Sequence, residues 1–297
     1  MVLALVLFTA VACVVWPLAT YTTTLAVLGL PHVLVELRYV QRRFGHRLAR
    51  GTAVSMAGLL LLVIGLRVGR NLDGADSTGA IELAAIAFLL LTVFPALGWR
   101  WRGASLLLAA AGLAAAALSP AHALLLLAVA HNFTPIGFLA EALSGRRRRN
   151  ALTVACALFI GVPLLIATGV PFEVLSLLGW TAPDFSLLPT GPLASHFGTY
   201  LPPSWRGEAW AGHAFSGAVF AQCMHYAAVL HVLPRLQSGV RTPSFYGFVA
   251  LATAGLFALF FLDFNDGRRW YGVAASVHAW VELPILMLAF GTVRTGP

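Results

Sequence analysis

The chain is poor in charged residues for its length. Only 10% of its 297 residues are Asp, Glu, Lys or Arg, whereas 59% are hydrophobic and the mean hydropathy is +0.84. Because soluble domains carry about 25% charged residues, this composition excludes an ordinary soluble domain. We therefore predict an all-α integral membrane protein whose helices form a single transmembrane domain over residues 1–297.

Cysteine is also scarce, and its spacing follows no known framework. Cys13, Cys156 and Cys223 all lie in apolar stretches, with neither CxxC spacing nor an even count. We expect these side chains to be small buried apolar groups rather than disulfide partners. The N-terminal stretch lacks the positively charged region of a signal peptide, so we predict that it is a retained first span.

Common catalytic and nucleic-acid-binding signals are absent as well. The sequence contains no HExxH helix, no P-loop, no GxGxxG fingerprint, and neither the HxxxH nor the HxxHH box of common membrane desaturases. The net charge of +8 does not indicate nucleic-acid binding, because the basic residues form short clusters between apolar runs. Cytoplasmic loops of membrane proteins have this pattern. We expect a lipid bilayer rather than a nucleic acid as the partner.

Ten apolar stretches are long enough for spanning helices, which need about 17–25 residues. They lie near residues 2–18, 20–41, 53–70, 79–97, 104–118, 121–143, 151–169, 211–234, 243–263 and 270–293. A tight turn near Pro17 would separate the first two stretches. If they instead form one long span after an interfacial segment, the prediction is nine spans.

The segments between these stretches alternate in charge. The basic set comprises 42–50, 98–102, 145–149, 235–241 and the tail with Arg294. The other set comprises 71–78, 119–120, 170–210 and 265–269, of which only the last carries a basic pair. Since basic loops stay in the cytoplasm, we predict a multi-pass protein of the inner (plasma) membrane with both termini cytoplasmic.

The segment 170–210 is too long for a simple connection and too mixed for a span. It contains six prolines together with several aromatic residues. Long segments of this kind are often lids or binding loops, and aromatic residues are also enriched at membrane interfaces. We predict a non-cytoplasmic loop that serves either as a lid or as an interfacial packing element.

Four histidines lie near the middle of four separate apolar stretches: His32, His131, His225 and His278. With a helical rise of roughly 1.5 Å per residue, they lie roughly 12–21 Å from the outer ends of their spans. They therefore share the central layer of a hydrocarbon core about 30 Å thick, where ionisable groups are costly and usually functional. Because imidazole binds iron, copper and zinc, we predict a buried metal site with these four ligands.

Two of these histidines are followed by a glutamate four residues later, His32 by Glu36 and His278 by Glu282. This spacing places each pair on one helix face. Each glutamate either binds the metal or accepts the second imidazole N–H and orients the ring. We predict Glu36 and Glu282 as metal ligands or catalytic groups, and Tyr226, in the same central layer, as a third catalytic residue.

Three other histidines lie nearer the ends of the spans: His122, His213 and His231. His231 follows His225 by six residues, which is about 240° around a helix of roughly 3.6 residues per turn. We therefore do not expect both to bind one ion. The spacing leaves open whether any of the three joins the centre.

Several of these segments resemble the Brp/Blh family of bacterial and archaeal membrane β-carotene 15,15'-dioxygenases. Residues 29–36 (GLPHVLVE) are similar to the family's early G-[IL]-P-H-G-x-x-D motif, and residues 278–282 (HAWVE) to its late proline-histidine element. His131 and His225 resemble two further histidines of the family. The resemblance implies a membrane-embedded iron, held by these four histidines, that cleaves the central double bond of a carotenoid with O2.

These features predict a membrane-embedded non-haem iron oxygenase that uses O2 on a lipophilic, carotenoid- or isoprenoid-like substrate, with one or two iron ions per chain. One alternative is a dinuclear His/Glu oxygenase acting on another small substrate. A second is a haem protein with His131 and His225 as axial ligands, and a third is a proton-coupled transporter with a His/Glu relay. The transporter is disfavoured because the sequence shows neither repeated halves nor paired broken helices.

Overall fold

The computed structural model describes residues 2–74, 78–239 and 242–291. Within these ranges the chain is all-α, as predicted, and contains no strand. The helices are α1 (Val2–Val15), α2 (Pro17–Phe44), α3 (Arg50–Asp73), α4 (Gly79–Thr92), α5 (Trp99–Leu118), α6 (Pro120–His131), α7 (Thr134–Ala142), α8 (Gly145–Cys156), α9 (Val162–Ala167), α10 (Val170–Leu177), α11 (Ala211–Ala227), α12 (Leu233–Leu236), α13 (Pro243–Leu262) and α14 (Phe264–Gly291).

Eight helical segments among the described residues are long and apolar enough to cross a membrane, and α6 with α7 makes a ninth if the bent pair is one span. The prediction of ten spans is not reproduced. Helix α1, in the predicted span 2–18, has 14 residues, which is shorter than the roughly 20 that a bilayer requires. The predicted turn is present: Trp16 leaves the helical conformation with φ −135° and ψ 63°. Proline disfavours the helical conformation in the residue before it, and Trp16 directly precedes Pro17.

The predicted span 121–143 is bent by 42° between α6 and α7. Pro135 lies in the first turn of α7, where its missing N–H costs no hydrogen bond and favours a new helix start. The Thr134 hydroxyl donates to the carbonyl of His131 at 2.9 Å. The bend therefore comes directly after His131, which is the last residue of α6.

Two other spans contain a π-helical turn rather than a break. Residues Ala157–Gly161 join α8 to α9, and Ala228–Val232 join α11 to α12. Each turn is followed within two residues by a proline, Pro163 or Pro234, whose missing N–H removes one helical hydrogen bond. Such turns often occur near functional sites, and the second one begins three residues after His225.

Burial separates the central helices from the peripheral ones. In the most apolar windows, 72% of α11–α12 is buried, and 50% of both α2 and α14, whereas α3, α5 and α13 reach 11% each. The peripheral helices thus leave most of their apolar side chains outside the protein interior, a pattern that suits helices long and apolar enough to cross a membrane. Three of the four central histidines lie on the most buried helices.

The segments between the predicted spans also differ in part from the prediction. Helix α5 begins at Trp99, so most of the predicted loop 98–102 is helical. The segment 170–210 contains α10 and two short 3₁₀ turns, Leu193–Thr199 and Pro203–Trp205. It packs on the start of α2, where Tyr21 Oη lies 3.2 Å from Thr199 Oγ1. The predicted cytoplasmic tail with Arg294 lies outside the described residues.

Candidate metal centre

The structure brings the four central histidines together from four helices. His32 lies on α2, His131 ends α6, His225 lies on α11 and His278 lies on α14. One ring nitrogen from each residue can be chosen so that all four atoms lie within 4.8 Å of one another. His32 Nε2 and His278 Nε2 lie 3.2 Å apart. This spacing allows one metal ion to contact all four rings.

The two glutamates lie in the same cluster, but their closest histidines belong to other helices. Glu282 Oε2 is 2.8 Å from Nδ1 of His131, and Glu36 Oε2 is 3.2 Å from Nε2 of His225. The i, i+4 spacing pointed instead to pairs within α2 and within α14. The packing of four helices determines which histidine each glutamate contacts. Residue spacing along one helix gives no information about contacts between helices.

A second donor set overlaps the first. Glu36, His131, His278 and Glu282 also offer four ligand atoms within 4.8 Å of one another. The two sets share His131 and His278. Because an imidazole nitrogen has one lone pair, each shared histidine nitrogen would serve one ion only, and a second ion would depend mainly on the two carboxylates.

The buried polar atoms of this centre fit a metal ion. Glu36, His225 and Glu282 are fully buried, and His131 keeps 10% of its side-chain exposure. Both carboxylates, and both ring nitrogens of His131 and of His225, have no hydrogen-bond partner of acceptable geometry among the described residues. An unpaired buried polar group costs about 1–3 kcal/mol. A divalent cation would satisfy several of these atoms at once and balance the two carboxylate charges.

The ring of His32 is oriented by its own helix. Its Nδ1 lies 3.1 Å from the carbonyl oxygen of Leu28. Because a carbonyl only accepts hydrogen bonds, Nδ1 carries the proton and Nε2 is left as the lone-pair donor. Such a partner on the far nitrogen is typical of metal-binding histidines.

Tyr226, the predicted catalytic tyrosine, lies beside the cluster. Its ring is 4.1 Å from the ring of His32 between centroids, and its hydroxyl accepts a hydrogen bond from Gln222 Nε2 at 2.8 Å. Both residues line the cavity next to the histidines. Tyr226 is thus close enough to contact a ligand bound there.

A cavity of about 250 Å³ adjoins the centre. The four histidines line one part of it, and aromatic side chains form much of the remaining wall. These are Tyr21, Tyr200, Tyr226, Tyr271 and Trp280. Arg67 and Arg268 also line this cavity. We call it the central cavity.

One buried polar group was missed by the sequence reasoning. Glu82 on α4 is fully buried, binds Arg67 Nη2 at 2.7 Å and accepts a hydrogen bond from Trp280 Nε1 at 2.9 Å. A sequence signal exists, because Glu82 and Arg67 are isolated charged residues in two apolar runs. The group lies between the central cavity and the periphery, and its charges are internally paired.

The three remaining span histidines stay outside the cluster. His122 Nδ1 lies 2.7 Å from the Ser119 hydroxyl, and the ring of His213 stacks on Phe172 at 4.4 Å between centroids. Neither donor set found among the described residues includes these two residues or His231. The centre therefore consists of the four histidines and two glutamates that the sequence singled out.

Two groups in the segment 170–210 have shifted pKa values. Burial, and next the charge of Arg268, lower the pKa of His196, whose Nε2 lies 3.0 Å from the Thr190 carbonyl oxygen. Burial raises the pKa of Tyr200 well above its usual value. Both residues are therefore uncharged at neutral pH.

Comparison with known proteins does not assign this chain to a family. No family model, no curated protein and no solved structure matches the chain. The resemblance to the Brp/Blh dioxygenases consequently stays a prediction. What the chain itself establishes is a buried His/Glu cluster that could hold a metal ion, in a bundle of helices long and apolar enough to cross a membrane.

Proposed function

We propose that this protein is a membrane-embedded non-haem iron oxygenase that acts with O2 on a lipophilic, carotenoid- or isoprenoid-like substrate. One observation carries the proposal: four histidine nitrogens from four helices converge within 4.8 Å beside a cavity with aromatic walls. A metal that only stabilised the fold would not require an adjoining cavity. Small-molecule sites are typically concave, with apolar and aromatic walls and a few convergent polar groups, and the central cavity has these features.

The donor types favour iron. The cluster contains imidazole nitrogens and carboxylate oxygens, and neither donor set includes a thiolate. Histidine with carboxylate is the usual ligand combination of non-haem iron that activates oxygen, whereas structural zinc sites rely largely on cysteine. The four histidines, with or without the two glutamates, would hold the iron, which would supply the activation of O2 when bound.

The protein's own residues hold and shield the reacting groups. Glu36 and Glu282 contact the rings of His225 and His131, so they orient these rings or share the metal with them. Glu36, His225 and Glu282 are fully buried, so the protein shields these donor groups from solvent. Tyr226 faces the same space and is placed to contact or donate a proton to a bound substrate.

A dinuclear oxygenase is the second candidate, because a specific observation favours it. The overlapping donor set of Glu36, His131, His278 and Glu282 would allow a second ion held by the two carboxylates, with His131 and His278 divided between the two ions. In this case the glutamates are ligands rather than ring-orienting groups. The number of iron ions per chain decides between the two forms.

The protein's location and orientation are part of the same proposal. Basic loops alternate along the sequence with loops that mostly lack basic clusters, which supports an inner-membrane protein with both termini in the cytoplasm. A lipophilic substrate would then reach the central cavity from the bilayer. We make no assignment of oligomeric state.

Metal analysis of the purified full-length protein tests the proposal. We expect about one iron per chain by inductively coupled plasma mass spectrometry, no Soret absorption band, and loss of most of the iron in each single His→Ala variant of the cluster. The control is His122→Ala, whose ring lies outside both donor sets. About two irons per chain, reduced to one by Glu36→Gln or Glu282→Gln, would establish the dinuclear form. Full iron content in all four alanine variants, or metal-free protein that Fe(II) cannot reconstitute, contradicts the proposal.

A further inference from the structure

Five arginines meet in an open cavity at the predicted outer end of the bundle. They are Arg67, Arg70, Arg206, Arg268 and Arg269, and the cavity measures about 860 Å³. We call it the arginine vestibule. Basic residues are normally kept on the cytoplasmic side of a membrane protein. The positive-inside rule therefore does not explain why five arginines lie together on the opposite side.

Two of the five positive charges are balanced by carboxylates. Arg67 Nη2 lies 2.7 Å from Oε1 of the buried Glu82, and Arg269 Nη1 lies 3.3 Å from Oδ1 of Asp266. Arg70 is 4.0 Å from the other oxygen of Glu82, so it shares a carboxylate that Arg67 already holds. These contacts leave the vestibule with a surplus of positive charge.

Arg206 and Arg268 have neutral partners. Arg206 Nε donates to the carbonyl of Leu201 at 3.0 Å, and Arg268 Nη1 donates to the hydroxyl of Thr199 at 3.0 Å. Within the part of the chain that the structure describes, neither guanidinium has a carboxylate within 4.0 Å. Arg268 Nη1 also lies 3.5 Å from His196 Nδ1. Both guanidinium groups are thus held by neutral partners and keep further N–H donors for a ligand. Guanidinium groups fixed in this way match the oxygens of phosphate or carboxylate.

The vestibule adjoins the central cavity. Arg67, Thr199, Arg268 and Gly272 line both spaces. Arg268 and His278 lie on the same helix, ten residues apart, which corresponds to about 15 Å along the axis at roughly 1.5 Å per residue. A single ligand can thus contact the arginines with one end and approach the histidines with the other.

From this arrangement we propose that the arginine vestibule binds the oxyanion head group of an amphiphilic ligand whose apolar part extends through the central cavity to the metal centre. The inference rests on the proposed function, because it gives the lipophilic substrate of that site an anionic end. Arg206 and Arg268 contact the head group, and the tyrosine-rich wall contacts the apolar part. A purely hydrocarbon ligand has no negative group to pair with the surplus positive charge of the vestibule.

Binding of dodecyl phosphate to the metal-free, full-length protein in an uncharged detergent tests this proposal. Isothermal titration calorimetry compares the wild type with Arg206→Gln and Arg268→Gln, and with Arg147→Gln as a control from the exposed basic run 146–149. A lost charge-assisted hydrogen bond costs enough for an affinity decrease of about tenfold or more. We expect this decrease for each vestibule variant, an intermediate one for Arg268→Lys, and none for the control.

Two further ligands identify which part of the probe is recognised. We expect inorganic phosphate to compete for the vestibule more weakly than dodecyl phosphate, and dodecanol not to compete. Equal competition by dodecanol, or unchanged affinity in both vestibule variants, overturns the proposal. Inorganic phosphate that binds as tightly as dodecyl phosphate also overturns it, because the ligand would then be a small free anion with no part in the central cavity.

The test separates this proposal from the oxygenase itself. Because binding is measured without metal, arginine-dependent affinity does not depend on iron, and the iron content of Arg268→Gln is measured on the same preparation. We expect that content to equal the wild-type value. Loss of arginine dependence with normal iron content overturns the head-group proposal alone, whereas absence of iron with intact dodecyl phosphate binding overturns the oxygenase and leaves the anion site.

Discussion

Buried carboxylates in this protein have two different kinds of partner. Glu82 Oε1 accepts hydrogen bonds from Arg67 and from the indole of Trp280, so a guanidinium balances its charge inside the bundle. Glu36 and Glu282 face imidazole rings, and none of their oxygens has a hydrogen bond of acceptable geometry among the described residues. A buried charge is tolerated when it is paired or coordinates a metal. The environment of Glu82 stabilises the fold, whereas the environment of Glu36 and Glu282 favours the binding of a cation.

His196 provides a prediction about pH at the scale of a single residue. The groups that face it are Arg268, Tyr21, Phe264 and, at longer range, Asp184. Burial and the nearby guanidinium lower its folded-state pKa below the usual value of about 6.5. As the pH falls through about 6.5, the unfolded chain takes up a proton that the folded protein excludes, so stability is lost. Above that pH both states are neutral and the histidine contributes no pH dependence.

Thermal unfolding in detergent, measured from pH 7.5 to pH 5.0, checks this expectation. The variant His196→Gln keeps an N–H for the Thr190 carbonyl but cannot take up a proton in this range. We expect its Tm to fall less than that of the wild type, with the difference developing below about pH 6.5. Parallel curves for the two proteins would show that His196 is not held neutral by its surroundings.

Helix ends and breaks determine where the side chains of the centre lie. The sequence correctly indicated the turn at Pro17, since proline restricts the residue before it. It did not indicate that the span 121–143 bends directly after His131, because an apolar run reports length and not curvature. The same limit explains the predicted tenth span: the composition of 2–18 suits a membrane, but the helix ends at Val15. Contacts with neighbouring helices determine where these helices end and bend.

Helix α11 offers a test of packing at the scale of an element. A Cβ atom on Gly217 would lie 2.5 Å from the carbonyl oxygen of Pro163 and 3.5 Å from Cβ of Ala167. A backbone oxygen cannot turn aside, so α11 would have to move away from α9. We expect Gly217→Ala to destabilise the protein by about 1–3 kcal/mol, as over-packing usually does.

The measurement is the Tm in detergent, with Gly255→Ala on α13 as the matched control. Nothing lies within 4 Å of a Cβ at Gly255, and alanine favours a helix over glycine. We expect the control to be at least as stable as the wild type. Because α11 also carries His225, Gly217→Ala should lose iron more readily as well. Equal stability of the two variants would mean that α9 and α11 do not pack as described.

The whole molecule has two ends of different character. At one end Glu141 binds Arg43 and Arg47 at 2.8 and 3.2 Å, close to the exposed basic run 146–149. At the other end lies the arginine vestibule, whose Arg268 precedes His278 by ten residues on α14, about 15 Å at roughly 1.5 Å per residue. Among the described residues five arginines line the vestibule, and two of them, Arg67 and Arg268, also line the central cavity.

Depth along the spans was enough to predict the layer in which the four histidines meet, because every helix advances by the same rise per residue. Pairing within that layer could not be predicted, since Glu36 and Glu282 find their closest histidines on other helices. The vestibule was not predicted either. In the sequence its arginines lie in three separate segments, 53–70, 170–210 and 265–269. Only the folded bundle brings them together.

The orientation of the bundle is a prediction for the molecule as a whole. Because the clustered basic loops should remain in the cytoplasm, the vestibule end should face outward. Replacing Cys13, Cys156 and Cys223 with alanine allows two exposed reporters to be compared, Ser195→Cys at the vestibule and Ser144→Cys before the basic run. In intact cells a membrane-impermeant maleimide should label the first and not the second, whereas solubilised protein should be labelled at both. The reverse pattern would place the arginine vestibule in the cytoplasm, where the anionic ligand would have to be a cytoplasmic or inner-leaflet molecule.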